Sequence, residues 1–345
     1  MNEEDGAFVK YTLKIGLVIT LCLSGGLAWA ASSSALEAGF ARKMAKKHGF
    51  DAKQVIALLK QAKRKQKILD AIDRPAESKP WYVYRGYFIK KQQILNGVKF
   101  WDKHQAELER AEKKFGVDQE IILGIIGVET RFGSLSGGYR VIDALYTLGF
   151  HYPRRGEYFR TEMEQFLLMA KEEGFDPLKV EGSYAGAIGL PQFMPSSYRR
   201  YSVDFNGDGK RDLFGSAEDA IGSVANYLKR HGWQAGQDIA IPAKVRGKRY
   251  RKVIKWGIKP KKTVLQLSKY GIRPIAAAHN DLHASVFLLR SKLGRDYWLG
   301  LKNFYVITRY NRSNLYAMAV TQLGRQVRQK RIQLRTKKQT KSHSR

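Results

Sequence analysis

Cysteine is almost absent from this sequence of 345 residues, in which Cys22 is the only one. It lies in the apolar segment 15–30, which ends in A-W-A and is preceded by lysines, as in a cleavable secretion signal. A lipoprotein signal needs a small residue just before the cysteine, and Leu21 is not small, so we predict that the chain is not a lipoprotein. The mature chain would then hold no cysteine, which excludes disulfides and thiol catalysis.

The apolar segment is also too short to suggest a membrane anchor. It has 16 residues and contains Gly25 and Gly26, whereas a transmembrane helix needs about 20 mainly apolar residues. We therefore predict that residues 1–30 form a signal peptide that is removed on export, and that the mature protein has no retained anchor.

Acidic residues are outnumbered: 31 Asp and Glu stand against 62 Lys and Arg, which gives a formal net charge of +31. This balance implies an acidic partner, such as a nucleic acid, an anionic membrane, or a cell-wall glycan with peptide carboxylates. No nucleic-acid-binding motif occurs, and the export signal argues against that class. Ten basic residues and no acid lie between Lys244 and Lys262. Residues 324–345 are predicted to be a disordered basic tail that can hold an anionic envelope surface by charge.

Helical periodicity dominates the chain, so we predict a mainly α protein. Residues 36–50 and 51–72 are predicted to form two helices, with Asp51 capping the second. The aromatic-rich residues 81–88 are predicted to be extended, either as core packing or as a platform for sugar rings. A strongly amphipathic helix is expected over 157–173.

The segment 117–133, VDQEIILGIIGVETRFG, predicts a buried helix that starts near Asp118 and stops at Gly133. Its last turn presents Glu129 on the same face as several isoleucines. Burial and the negative end of the helix dipole both favour the protonated carboxyl, so we expect a raised pKa and a role as general acid. The alternative is a Glu129 that simply pairs with nearby Arg131.

Two further segments suggest contact with a ligand. Residues 182–198, GSYAGAIGLPQFMPSSY, contain helix-breaking glycines and a polar Gln192 among apolar residues, which would allow the backbone to approach a ligand closely. Arg154 and Arg155 follow a proline at the start of the amphipathic helix. Adjacent guanidinium groups suit carboxylate binding, although a solvated pair in a basic protein would look the same.

The segment DFNGDGKRD resembles a calcium loop of the EF-hand type. Positions 1, 3, 5 and 9 of that loop correspond to Asp204, Asn206, Asp208 and Asp212, and position 7 would supply the carbonyl of Lys210. The usual Glu at position 12 is replaced by Gly215, so Asp219 or Glu218 would have to complete the shell. An Asx-rich turn without a metal is the alternative.

Five segments occur in the order GIIGVETRFG, HYPRR, GSYAGAIGLPQFMPSSY, DFNGDG and AIGSVANYLKRHGW. Together they resemble the lytic murein transglycosylase B family, over roughly residues 38–323. The resemblance implies a mainly α fold with a lysozyme-like (goose-type) catalytic core, an added helical region and a small strand-containing insert. It also implies a periplasmic enzyme of a Gram-negative bacterium that acts, as a monomer, on peptidoglycan strands with their peptide stems.

The resemblance also assigns roles to individual residues. Glu129 would be the single catalytic acid and base. The substrate-binding residues would be Tyr84, Arg154, Arg155, Ser183, Gln192, Tyr227, Tyr310, Asn311 and Tyr316. A structural Ca²⁺ would be held by Asp204, Asn206, Asp208, the Lys210 carbonyl and Asp219, and no organic cofactor is expected. The predicted division is a helical catalytic domain over 31–240, a β-containing insert over 241–283, and a part over 284–323 that returns to the cleft.

The number of carboxylates in the matched segments bears on the mechanism that the resemblance implies. An ordinary glycosidase uses two, and the only other candidates here are Asp143 and Glu157, neither of which lies in a comparably apolar run. This shortage is expected if the substrate supplies its own nucleophile. The resemblance therefore implies that Glu129 acts alone, while the acetamido and 6-hydroxyl groups of the substrate complete a lyase reaction that forms a 1,6-anhydro ring. A lysozyme-type hydrolase and a non-catalytic wall-binding scaffold are the alternatives.

Overall fold

The structure, a computed structural model, describes residues 20–73 and 78–343. Its helices are α1 Thr20–His48, α2 Ala52–Gln61, α3 Gln66–Ile72, α4 Trp81–Phe88, α5 Lys91–Lys103, α6 Gln105–Phe115, α7 Gln119–Thr130, α8 Val141–His151, α9 Gly156–Glu173, α10 Pro195–Tyr201, α11 Ala217–Arg230, α12 Tyr250–Ile254, α13 Val264–Ser268, α14 Lys302–Tyr310 and α15 Asn314–His343. The predictions of a mainly α fold and of a helix near 157–173 are confirmed.

The predicted helix over 51–72 is interrupted. Asp51 caps its start as expected, since its side chain accepts a hydrogen bond of 2.7 Å from the backbone N–H of Lys53. The chain then leaves the helix because two side chains of α8 capture its backbone: Asp143 Oδ1 accepts from Lys63 N at 2.8 Å, and Thr147 Oγ1 accepts from Lys65 N at 3.0 Å. These tertiary hydrogen bonds replace helical ones, so α2 and α3 are separate.

The prediction of an extended segment at 81–88 is wrong, because these residues form α4. Trp81 and Tyr84 are buried on one side of this helix, with their rings stacked at a centroid distance of 6.4 Å. Aromatic residues favour strands mainly through packing, so burial of this face in the helical core overrides that preference.

Helix α15 runs along α7 at very short range. A Cβ added to Gly124 of α7 would lie 2.4 Å from the carbonyl oxygen of Val320, and one added to Gly324 of α15 would lie 2.0 Å from that of Glu120. Only glycine allows two helix backbones to approach this closely. The pair therefore positions the C-terminal end of α7 against the start of α15.

The prediction of a disordered tail over 324–345 is wrong for the described residues, since α15 continues to His343. Val327 is fully buried against the core, and the Arg331 Nε donates to Asp102 Oδ1 at 2.7 Å. Apolar and ionic contacts with α5 therefore order the first part of a segment whose composition alone suggested disorder.

The strands form a two-stranded sheet, β1 Tyr139–Arg140 with β2 Glu181–Gly182, and a five-stranded antiparallel sheet. The latter has the order β4-β6-β7-β3-β5, with β3 Ala240–Val245, β4 Lys262–Thr263, β5 Ile272–Pro274, β6 His283–Ser291 and β7 Gly294–Gly300. The strand-bearing segment is therefore longer than the predicted 241–283. The sequence does not distinguish these two strands, because the apolar run within β6 also suits a helix, and β7 has Arg295 and Asp296 near its start and no regular alternation of buried and exposed residues.

The five-stranded sheet is attached to the helical core through one face. Phe287 of β6 stacks on Phe304 of α14, with ring centroids 4.4 Å apart and planes at 12°. The opposite face has its own cluster of buried side chains under α12 and α13, which includes Val253 and Val286.

Most of the predicted signal peptide lies outside the described residues, so its cleavage stays a prediction. Within residues 20–73 and 78–343, no helix is both long and apolar enough to cross a membrane.

Candidate active site

The site is built at the C-terminal end of α7, in which every side chain from Ile121 to Val128 is buried. The helix ends at Thr130 rather than at the predicted Gly133, because Arg131 takes the left-handed conformation with φ 51° and its N–H closes on Gly127. Asp118 precedes the helix but makes no capping bond through its side chain. This early stop places Glu129 in the last turn, half-buried at the edge of the core.

Glu129 is held by a residue far away in the sequence. The hydroxyl of Tyr316, in the first turn of α15, donates to Glu129 Oε1 at 2.6 Å. The ring of Tyr310 lies parallel to that of Tyr316 at a centroid distance of 6.3 Å. Burial, and then the charge of Glu129, raises the pKa of both phenols well above the usual value, so both hydroxyls stay protonated and act as donors.

A cavity of about 330 Å³ opens beside Glu129. It is lined by Glu129, Ser183, Tyr184, Ala185, Ala187, Gln192, Phe193, Met194, Ser197, Tyr227, Tyr310 and Asn311. Five of the predicted substrate-binding residues therefore lie together with the predicted acid. Apolar and aromatic walls with a few polar groups are typical of a ligand site.

The glycine-rich segment forms one wall of this cavity through a tight local fold. Ser183 Oγ accepts hydrogen bonds from the backbone N–H groups of Ala185 and Ala187, at 3.3 and 3.1 Å. Gln192 has a φ of 50°, and its side-chain amide donates to the Gly189 carbonyl at 3.0 Å. These bonds fix the two polar side chains at the cavity surface.

The same segment is hydrogen-bonded directly to the end of α7. Thr130, the residue after Glu129, donates from Oγ1 to the Leu190 carbonyl at 3.0 Å. Gly189 makes this possible, since its φ is +70° and a Cβ there would lie 2.5 Å from the Leu213 carbonyl oxygen. The carboxyl group and the loop that faces it are thus parts of one rigid unit.

A further part of the cavity lining is aromatic. The rings of Tyr227 and Tyr310 lie 4.8 Å apart, and Phe193 packs against both. The Tyr227 hydroxyl donates to the Arg309 carbonyl at 2.7 Å, and the Tyr310 hydroxyl donates to the Pro191 carbonyl. Each phenol is therefore anchored by the backbone, which leaves its ring to shape the cavity.

A second acid is not found at the cavity. Among the described residues that line it, Glu129 is the only Asp or Glu. Asp143 is buried elsewhere and forms an ion pair with Arg140 at 2.7 Å, and Glu157 is exposed on α9. The arrangement of two facing carboxylates that a conventional glycosidase requires is not present in this cavity.

Comparisons with known proteins agree with this geometry. The profile of the transglycosylase SLT domain matches residues 32–325. The chain belongs to this family. Over 304 residues it is 48% identical to the membrane-bound lytic murein transglycosylase B of Escherichia coli K12, which covers 85% of this chain and 83% of that protein.

Two solved structures show the same fold. The catenated lytic transglycosylase SltB1 from Pseudomonas aeruginosa has a TM-score of 0.81 and 48% identity, over 85% of this chain and 97% of that one. The Escherichia coli lytic transglycosylase Slt35 in complex with calcium has a TM-score of 0.78 and 47% identity, over 86% of this chain and 94% of that one. The resemblance to lytic transglycosylases that the motifs indicated is confirmed, with its lysozyme-like fold.

Some residues that the family resemblance assigned to the substrate lie outside the cavity lining. Tyr84 is only 2% exposed, with its ring against Trp81 and Phe88. Tyr316 is equally buried, and its hydroxyl donates to Glu129. These two rings are enclosed, so in this structure neither offers a face to a sugar.

The two arginines are exposed in a short 3₁₀ turn, Pro153–Arg155, between α8 and α9. Arg154 Nη1 lies 3.4 Å from Asp73 Oδ1, and the Arg155 guanidinium lies 4.5 Å from the centre of the Tyr158 ring. Neither residue lines the cavity, so a role in binding would concern parts of a substrate that extend beyond it.

The sequence reading missed several residues of the lining, among them Tyr184, Met194 and Ser197. All three belong to the glycine-rich segment 182–198, in which the sequence and the family resemblance indicate only Ser183 and Gln192 as substrate-binding residues. The closely spaced glycines and prolines of that segment indicate successive turns, and this is the only signal in the sequence that its other side chains also face a ligand. Which side chains face inward depends on the hydrogen bonds described above.

The acidic loop 204–219 is ordered by its own backbone. Asp204 accepts from the N–H groups of Gly207 and Gly209, at 2.6 and 2.8 Å, through its two oxygens. Asp219 is fully buried and accepts from three backbone N–H groups, those of Phe205, Asn206 and Asp212, at 2.7 to 3.2 Å. Within the described residues no group of three acidic, His or Cys side chains is arranged to hold a metal ion.

Proposed function

We propose that this chain is a lytic transglycosylase that cleaves the β-1,4 bond between N-acetylmuramic acid and N-acetylglucosamine in peptidoglycan, with Glu129 as its only acid and base. The observation that carries the proposal is a cavity with a single carboxyl group, which a buried phenol orients. Family membership supports the reaction class, and the relative's name supports murein as the polymer.

The first step needs a protonated carboxyl. Glu129 gives its proton to the glycosidic oxygen, so the bond from that oxygen to C1 of muramic acid breaks and N-acetylglucosamine leaves with a new hydroxyl. The acetamido oxygen of muramic acid bonds to C1 and stabilises the positive charge there. The hydrogen bond from Tyr316 holds the carboxyl group in one orientation throughout.

The second step uses the carboxylate that the first step produced. Glu129 takes the proton of the 6-hydroxyl of the same muramic acid, O6 bonds to C1, and the acetamido group is released. The product is a 1,6-anhydro ring, and Glu129 is protonated again for the next cycle. No water is consumed, so the absence of a second carboxylate at the cavity is consistent with the reaction.

The remaining wall supplies binding and shape. The polar groups of Ser183, Gln192 and Asn311 can bind sugar hydroxyl and acetamido groups, and the rings of Tyr227 and Tyr310 can pack on sugar faces. The exposed Arg154 and Arg155 can bind carboxylates of the peptide stems. A hydrolase would instead need a base positioned to activate water.

Replacing Glu129 with Gln tests the assignment. We expect turnover of purified sacculi to fall at least a thousandfold, roughly the effect of losing a general acid that also serves as base, with glycan binding retained. The matched control is Glu157→Gln, which should cleave normally. Mass spectrometry of the wild-type products should show anhydromuropeptides. Reducing muramic ends would support the hydrolase, and substantial cleavage by the Glu129→Gln enzyme would refute the role of this residue.

We also propose that the loop 204–219 binds a structural Ca²⁺. A solved relative is in complex with calcium, and the loop offers oxygen donors of the kind this ion prefers. Asp204, Asn206, Asp208 and the Lys210 carbonyl would hold it, with Asp219 as the last ligand. These carboxylates now accept backbone hydrogen bonds, so binding would require some of these bonds to be exchanged.

We propose that the enzyme works in the periplasm, where its substrate lies, and that it is a monomer. Murein lies outside the inner membrane, and the predicted export signal would carry the chain there. Cell fractionation of the native protein, with size-exclusion chromatography of the soluble part, tests both statements. Retention in the cytoplasm, or a stable dimer, would contradict them.

A further inference from the structure

One end of the five-stranded sheet carries a concentration of exposed positive charge. The β6–β7 hairpin ends there in a turn of Lys292 and Leu293, and the C-terminal end of β3 lies beside it. We call this surface the basic tip, and its basic members are Lys244, Arg246, Arg273, Arg290, Lys292 and Arg295, all exposed. Among the described residues, no ion pair involves any of them.

The strand register brings like charges directly opposite each other. Arg290 of β6 pairs with Arg295 of β7, and Lys244 of β3 pairs with Arg273 of β5. Like charges in such positions destabilise a sheet. Two repulsive pairs at one end of the same sheet therefore lower stability, and among the described residues none of these four side chains forms an ion pair that would offset the repulsion.

The helix above the sheet adds charge at the same place. The hydroxyls of Tyr250 in α12 and Tyr297 in β7 are hydrogen-bonded at 2.9 Å. Hydrogen bonds from Tyr297, then Arg251 and Arg295, lower the pKa of Tyr250. The guanidinium groups of Arg251 in α12 and Arg295 in β7 thus both act on this hydroxyl pair. The exposed acid of β7, Asp296, accepts a hydrogen bond from Ser291 Oγ at 3.3 Å.

The turn of the hairpin also carries one large apolar side chain, Leu293, beside the charged Lys292. Leu293 is fully exposed at 101% relative accessibility, the largest value among the exposed large hydrophobic residues of the described chain. A single exposed leucine is ordinary on a protein surface. Here it projects from the end of a hairpin, between Lys292 and Arg295, which is the arrangement of a side chain that can enter the apolar boundary of a bilayer while cations contact the headgroups.

From these features we infer that the basic tip is a docking surface for an anionic lipid bilayer, with Leu293 entering the headgroup boundary. The positive charge is spread over the ends of four strands, which fits a diffuse negative surface better than one defined anion. A cavity of about 520 Å³ that Lys244 and Arg295 line also contains the acid Asp296, which disfavours a single anion there. The site of cleavage lies elsewhere on the chain, so docking would hold the enzyme near a membrane without occupying its cavity.

Vesicle co-sedimentation of the full chain tests this inference. The charge-dependent binding is the binding to phosphatidylglycerol vesicles minus the binding to phosphatidylcholine vesicles. This subtraction removes the contribution of the apolar N-terminal segment. The Lys292→Glu/Arg295→Glu variant should lose roughly tenfold or more of the charge-dependent binding. Leu293→Ser should lose roughly fivefold. Both should cleave a soluble glycan fragment like the wild type.

The matched control is Lys259→Glu/Lys261→Glu, which changes the net charge equally at the other end of the sheet, beside β4. This variant should retain most of its vesicle binding. An equal loss in the control would overturn the inference, because net charge alone would then explain the binding. Equal binding of the wild type to both lipids would also overturn it. The inference would also be overturned by a tip variant that no longer binds purified sacculi but still binds the vesicles, because the basic tip would then bind the wall polymer.

Discussion

The cavity and the acidic loop both depend on carboxylates, but they hold them in opposite ways. In the cavity, Glu129 is held by Tyr316, which lies 187 positions further along the chain. In the loop, Asp204 and Asp219 are held by backbone N–H groups no more than 14 positions away. Local partners make the loop recognisable from spacing alone, whereas the orientation of Glu129 depends on how two distant helices pack.

The largest effect on stability should come from replacing Asp219, the buried carboxylate of the acidic loop. Asp219→Ala leaves three backbone N–H groups without their acceptor, so we expect the free energy of unfolding to fall by about 3 kcal/mol or more. Denaturant titration measures this change. The matched control is Glu218→Ala, which removes only an ion pair with Arg110 near the surface and should cost about 0.5 kcal/mol or less. Equal losses would show that Asp219 has no special role.

A smaller effect should come from breaking the long-range contact of the cavity. Tyr316→Phe removes the hydrogen bond to Glu129, so we expect kcat to fall by about tenfold to a hundredfold with KM little changed. The pH–rate profile should move as well, since the phenol acts on the catalytic carboxyl. The control Tyr146→Phe loses an equivalent bond, to Glu37 at 2.8 Å outside the cavity, and should keep its activity. A change in KM alone would contradict a positioning role.

The smallest effect should come from adding the proposed ion. At a calcium concentration ten times its Kd, the free energy of unfolding should rise by about 1.4 kcal/mol, because the ion binds the folded loop. Thermal unfolding with calcium and with a chelator measures this gain, and Asp204→Ala should abolish it. If the melting temperature is the same in both conditions, the loop is an Asx-rich turn without a metal.

Some features of the helical core are predictable from the sequence and others are not. The apolar run of α7 and the amphipathic pattern of α9 were sufficient to predict both helices. The break between α2 and α3 was not predictable, because Asp143 and Thr147 of α8 cause it. The helical conformation of the aromatic α4 is not predictable from its own residues for the same reason: the surfaces against which it packs lie elsewhere in the chain.

The site shows the same division. Glu129 could be selected because a carboxylic acid at the end of a wholly apolar helix is rare, and the residues of the glycine-rich segment lie close together in sequence. The role of Tyr316 as the partner of Glu129 could not be derived, since it depends on the close approach of α7 and α15 at Gly124 and Gly324. The buried position of Tyr84 also became clear only from the packing of α4.

The sequence by itself determined the local features of the chain. These are the lone acid after its apolar run, the spacing of the acidic loop, the turns around Gln192, and the excess of positive charge. What the tertiary structure decided is which of these groups meet. It placed Tyr316 on Glu129, fastened the glycine-rich wall to Thr130, and collected scattered cations at the basic tip. Periodicity and turn chemistry act between near neighbours, whereas helix contacts and strand register join residues that no local pattern relates.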